Sequence, residues 1–169
     1  MRKPADLRVH LTAANPELRD APDKLTIFVE NGNIVASATG SLSYEYRYTL
    51  KLIVLDYSGA PEAIVVPLLA WLKVQQIELF DNPESRQRGI RFEAELLNQD
   101  TVDLTIEVDL TERMIVQKVS ELPETTTRYN IHAAPEPERA GMVGNKPEHW
   151  ELWIGPDLIA EWDFPAALP

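Results

Sequence analysis

The sequence predicts an α+β domain: a mostly antiparallel sheet packed against an N-terminal helix and one central helix, with an extended C-terminal arm. Three observations carry this. Apolar and polar residues alternate along two long stretches, Tyr44 to Val54 and Ile90 to Leu110. The run "AIVVPLLAWL", Ala63 to Leu72, is apolar around most of a helix circumference, as a helix buried on several sides would be. Beyond Ala133 the chain turns to "APEPERAGMVGNKPEH", which is linker chemistry, and three of the four tryptophans, Trp150, Trp153 and Trp162, follow it. The expected organisation is a domain over 1–134, a linker over 135–149, and a Trp-rich arm over 150–169 that forms a β-hairpin.

Each element has a local reason. Pro4 suits the first turn of a helix, and Leu7, Leu11 and Ala14 form one apolar stripe that ends near Asn15, since a residue before proline avoids helical geometry. Asn31-Gly32-Asn33 separates two apolar runs and readily takes positive φ, so a tight hairpin turn is expected there. From Leu42 a long strand puts Tyr44, Tyr46, Tyr48, Leu50, Leu52 and Val54 on one face and Glu45, Arg47, Thr49 and Lys51 on the other. Gly59 and Pro61 end it. The central helix starts between Pro61 and Pro67. "DNPESRQRG" reads as a polar loop, Ile90–Leu96 and Val102–Leu110 as a second hairpin, and "RMIVQKV" with "RYNIHA" as a third pair around Ser120 to Thr127.

Composition excludes several functions. With 169 residues the chain is the size of one ordinary domain, able to bury roughly 70% of its unfolded surface. No apolar stretch approaches the roughly 20 residues that span a bilayer, and "MRKPADLRVHL" lacks the apolar core of a signal peptide, so the chain is expected to be cytosolic when made. The absence of cysteine removes disulfides, thiol catalysis and cysteine-based metal sites. A formal charge of -11 argues against tight nucleic-acid binding.

Motifs for chemistry are missing as well. His10, His132 and His149 have no metal-ligand spacing, and no nucleophile elbow, phosphate loop or dinucleotide fingerprint occurs. No cofactor, no metal and no catalytic residue is expected. Asp103, Glu107 and Asp109 alternate along a strand, which already explains them as a solvated face. The tyrosine ladder lacks the basic groove that single-strand binders pair with aromatics, so its face is read as core packing against helices at Leu7 to Leu11 and Leu68 to Leu72. Aromatic anchors on a short arm read as protein contacts. On that arm the candidate contact residues are Trp150, Trp153 and Trp162; should the chain self-associate, Tyr44 and Tyr46 near the strand start, with Arg47, are those to test for subunit contact.

"RKPADLRVHLTAA", "LTIFVENGNIVA", "SYEYRYTLKLIVLDYSGAPEAIVVPLLAWLKVQQ", "RFEAELLNQDTVDLTIEVDLTERMIV" and "YNIHAAPEPE" together resemble the tail completion protein R family of contractile-tailed phages and prophages. The resemblance covers roughly residues 2 to 138, and the arm beyond it looks like an extension. It implies a non-enzymatic virion protein assembled in the host cytoplasm. That protein would cap the head-proximal end of a finished tail and prepare it to join the capsid. The resemblance further implies self-association, commonly as a hexameric ring, with tail tube or sheath proteins and the head-tail connector as partners and DNA passing through an acidic lumen. Two other readings stand beside it: a small acidic ligand-binding domain or enzyme using the carboxylates of the second hairpin, and an adaptor whose tail adds a strand to a partner's sheet.

Overall fold

The computed structural model describes residues 1–97, 100–119, 127–137 and 148–164. The fold is α+β, as the sequence predicts. Helices α1 (Lys3–Ala14) and α2 (Pro16–Asp20) precede strands β1 (Leu25–Ala36) and β2 (Tyr44–Tyr57). Then come α3 (Glu62–Gln75), the short α4 (Glu78–Asp81) and α5 (Pro83–Arg88), and strands β3 (Ile90–Leu96), β4 (Val102–Val119), β5 (Arg128–Ala133), β6 (Glu148–Ile154) and β7 (Asp157–Phe164). One antiparallel sheet runs in the order β1-β2-β4-β3, with β5 joined to the far part of β4; among the described residues β6 and β7 pair only with each other.

The main core lies between this sheet and two helices. Tyr48, Leu50, Leu52 and Val54 of β2 and Leu104, Ile106, Val108 and Leu110 of β4 point inward, where they meet Leu7 and Leu11 of α1 and Ile64, Leu68, Trp71 and Leu72 of α3. The period-2 pattern of the strands and the stripe of α1 thus close on one another. The remaining apolar side of α3 does not face solvent. Ala63 and Ala70, with Val66 and Val74, join Ala14 of α1 in a second cluster under Ala160, Trp162 and Phe164 of β7. Burial between a sheet and a hairpin is why this helix is apolar around most of its girth.

Asn15 joins these parts. Its extended backbone (φ -107°, ψ 119°) stops α1 before Pro16, and its side-chain oxygen accepts from Leu18 N at 3.1 Å to cap α2. Its amide nitrogen donates to Tyr57 OH at 2.7 Å and to the Ala63 carbonyl at 3.4 Å. Pro67, inside α3, has no N–H with which to serve that carbonyl, so Asn15 supplies the donor the proline removes.

Several local expectations are corrected. Asn31-Gly32 does not turn the chain: β1 continues through it, and two residues, Asn31 and Gly32, stand opposite Tyr48 alone between the Glu30–Thr49 and Asn33–Arg47 pairs. Asn31 does take positive φ, 51°, but a β-bulge uses it as well as a turn does. The fourteen residues of β2 are long enough to pair on both sides of the bulge. "DNPESRQRG" is mostly helical, since Asn82 accepts from Glu84 N at 2.9 Å and Pro83 opens α5. "RMIVQKV" is no separate strand: nothing between Leu110 and Arg113 breaks extended structure, and β4 runs unbroken for 18 residues. Of the expected turn around Ser120 to Thr127, residues 120–126 lie outside the described residues, as do 138–147 of the expected linker and 165–169 of the arm.

The outer edge of β4 has a gap between β3 and β5, and buried polar groups fill it. Asp109 N donates to Gly89 O at 2.9 Å, and Ala134 N to Arg113 O at 2.8 Å. Between them Thr111 N donates to the Gln76 side-chain oxygen at 3.0 Å, and Lys3 Nζ donates to Thr111 O at 2.8 Å. Lys3, only 3% exposed, also donates to the Gln75 carbonyl and to Gln76 Oε1, and pairs with Glu136 at 2.9 Å. The packed body therefore extends past residue 134 into the stretch expected as linker. Beside this network, buried Glu112 accepts from the Arg2 backbone at 2.6 Å and from Tyr48 OH at 2.5 Å. Burial, reinforced by that carboxylate, raises the Tyr48 pKa far above its ordinary value, so the phenol stays a donor.

Candidate assembly interface

The six candidate residues fall in three places. Tyr44 and Tyr46 lie on the helix-facing side of β2, half-buried, with Tyr46 packed against the end of the main core and Tyr44 beyond it; their rings stand edge to face at 4.9 Å and their hydroxyls 3.0 Å apart. Arg47 is on the opposite face, as alternation requires, so it forms no single patch with the two tyrosines. Its side chain is 59% exposed and pairs with Glu45 at 2.6 Å. It lines a cleft of about 630 Å³ that also meets Asn31 and Asn33 of the bulge, Glu84 and Arg88 of α5, and Asp109 and Arg113 of β4.

The tryptophans separate. Trp162 is 5% exposed and belongs to the protein's own second core, with its ring 5.7 Å from Trp150 and 6.3 Å from His10. Half-buried Trp150 packs on Phe164 at 5.3 Å. α1 and α3 offer within the chain the apolar seat that a short hairpin needs, and Trp150 and Trp162 pack into it. Trp153 remains outside, 52% exposed beside Ile154 and Leu158 at the hairpin tip, where Gly155 takes φ 58°. Its indole N–H donates to Glu151 at 2.9 Å.

His10 sits where the two cores meet. Its Nε2 contacts the Pro67 carbonyl at 3.0 Å, and its ring stands edge-on to Trp162 and Phe164. Desolvation lowers its pKa, opposed by the carbonyl contact, so the ring is held neutral and Nε2 carries the proton it donates. An unfolded chain then binds more protons than the folded one. The stability His10 contributes is complete above the unfolded value of about 6.5 and is lost as pH falls below it. We expect the thermal midpoint to fall between pH 7 and pH 5, and His10→Gln to flatten that slope; equal slopes would show that His10 does not govern it. Glu136, raised by burial, acts with the opposite sign: its share is present below the unfolded carboxyl value and lost as pH rises through the folded one.

The strand carboxylates are engaged in pairing. Asp109 accepts from both nitrogens of the Arg91 fork at 3.0 Å and from Thr49 at 3.0 Å, and the Arg91 bonds hold its pKa below the ordinary value. Glu107 pairs with Arg91 and Lys51, and Asp103 accepts from Asp56 N. Among the described residues no group of histidines and carboxylates could hold a metal ion, and no helix is long and apolar enough to cross a membrane.

Sequence reasoning expected free strand edges but did not say which strands carry them. Among the described residues β1 pairs only with β2, and β3 and β5 only with β4, so both sides of the sheet are open there. They display Ile34 (69% exposed), Phe92 (74%), Leu96 (81%) and Ile131 (60%). Nothing in a strand's own pattern reveals that it lies at an edge; pairing order decides that.

Comparison with known proteins bears on what these surfaces serve. The family described as P2 phage tail completion protein R (GpR) matches residues 1–137. The curated protein "Tail completion protein R" of Escherichia phage P2 is 39% identical over 163 residues, covering 96% of this chain and 99% of that protein. The second match runs well past residue 137, so the Trp-rich arm is no private extension: it has a counterpart in the relative. No solved structure matches. With a family match over most of its length and a relative aligned nearly end to end, this chain belongs to the tail completion protein R family.

Proposed function

We propose that this chain completes a phage tail as a ring of copies, six by the family resemblance, at the head-proximal end. One side of the ring would meet tube or sheath proteins and the other the head-tail connector. The protein is structural and not an enzyme, in keeping with its family. The observation that carries the reading is the near end-to-end match to the P2 tail completion protein, arm included. Open sheet edges with exposed apolar side chains support it, because a closed ring needs two different, complementary surfaces on every subunit. The net charge of -11 is compatible with DNA passing through the opening without adhering.

Within this reading Tyr44, Tyr46 and Arg47 contact a neighbouring copy. Trp153 at the hairpin tip contacts a copy or a tail protein, while Trp150 and Trp162 hold the hairpin in position for it. Assembly would take place in the host bacterial cytoplasm, with the product in the virion tail. The test is the native mass of the purified chain, alone and with purified tails, followed by imaging of the tail ends. Rings at one end of the tails, lost or weakened with Arg47→Glu in a subunit that still melts normally, are the expected result. Chains that stay monomeric and leave the tail ends bare would refute it.

A further inference from the structure

Two parts of the sheet carry charges that have no ion-pair partner among the described residues. β4 runs past its last pair with β2, Met114 opposite Tyr44, so Ile115–Val119 and β5 project as a two-stranded ribbon. Such a ribbon is marginal in water unless something packs on it. Its described residues, 115–119 and 127–133, hold Lys118 and Arg128 and no carboxylate, with Arg113 at its base, in a chain of net charge -11. Lys118 and Arg128 have no ion-pair partner among the described residues, and Arg113 reaches only Glu45, at 3.9 Å. The connecting stretch 120–126, with Glu121 and Glu124, lies outside the described residues.

The other part is β3. Glu93 and Glu95 are exposed, have no partner among the described residues, and stand beside Asp103 and Asp56. The apolar side chains match in kind as well: Tyr129 (46% exposed) and Ile131 (60%) on the ribbon, Phe92 (74%) and Leu96 (81%) on β3. Within one subunit the two parts cannot meet. Arg128 lies opposite Val119 and Glu95 opposite Asp103, sixteen positions apart on β4, or roughly 50 Å of extended strand.

We infer that the basic β4–β5 ribbon of one copy seats on the acidic β3 edge of a second copy, strand against strand. Arg128 meets Glu93 and Glu95 on one face of the joined sheet, and on the other face Tyr129 and Ile131 cover Phe92 and Leu96. Open backbone groups on both strands supply main-chain hydrogen bonds, and the charges select this pairing over like-with-like contacts. The inference rests on the proposed self-association and names the surfaces that would serve it.

The experiment compares the full wild-type chain with Arg128→Glu, Glu95→Arg, an equal mixture of the two variants, and the double variant. Each is followed by sedimentation over a wide concentration range at low salt, with melting curves to confirm folding. Wild type should associate, and each single variant should dissociate at least about tenfold more readily. The mixture and the double variant should recover association, because in both every acidic site finds a basic one. Single variants that associate like wild type would overturn this contact and leave the ring reading intact. Loss without recovery in the mixture and the double variant would overturn the charge pairing. A wild type that stays monomeric at every concentration, and beside purified tails, would overturn both the contact and the ring.

Discussion

Replacing Lys3 by alanine is expected to lower unfolding free energy by about 3–5 kcal/mol, the range for removing one partner of a buried, hydrogen-bonded ion pair. The ammonium is the common donor for Gln75 O, Gln76 Oε1 and Thr111 O and the cation for Glu136. Alanine leaves a partly buried carboxylate and three acceptors without it. Lys3→Met keeps most of the length and the apolar stem and removes the charge and the N–H donors, so it should lose most of the same energy. Denaturant midpoints measure both, with the slope showing whether the transition stays cooperative. A loss below about 1 kcal/mol in both variants would mean that water or neighbouring donors replace the ammonium, and that the β4 gap is not held by this side chain.

Trp162→Ala is expected to remove about 3–5 kcal/mol as well, by opening a large cavity in the second core. The loss should be local. β6 and β7 share no backbone ladder with the five-stranded sheet among the described residues, and Trp162 and Phe164 join them to α1 and α3. Limited proteolysis should therefore release the arm while hydrogen exchange in β2 and β4 remains slow. Trp162→Phe should be much milder. It retains the aromatic packing and removes an indole N–H that is buried without an acceptor among the described residues. A Trp162→Ala chain that resists proteolysis as wild type does would show that the hairpin is held by something other than this ring.

What the sequence made legible, and what it hid, follow one physical division. Tyr48 to Val54 could be read because a period of two has a single consequence for a strand with one buried face. The burial of α3 on several sides was readable from its circumference, and the family from motifs spread over most of the chain. Asn31-Gly32 misled because positive φ serves a bulge as well as a turn, and only the length of β2 decides between them. The continuity of β4 was hidden because Glu112, a charged residue in an inward position, interrupts the apolar alternation; its partners, the Arg2 backbone and Tyr48, are remote in sequence. Trp162 was placed outside for a similar reason. An aromatic near a chain end shows its need for a surface but not whose surface fills it. The exposed charges on β3 and β5 were visible as residues and invisible as a pattern, since both strands had first to be placed at the sheet's edge.

The unbroken run of β4 has a mechanical consequence. A pull on the projecting ribbon along its axis is carried straight into the middle of the subunit, where twelve cross-strand pairs with β2 resist sliding at once. Rupture in that geometry requires many bonds to fail together, whereas a load across the strands would open them one by one. A subunit tethered to its surroundings through this ribbon would therefore bear lengthwise tension well and sideways peeling poorly.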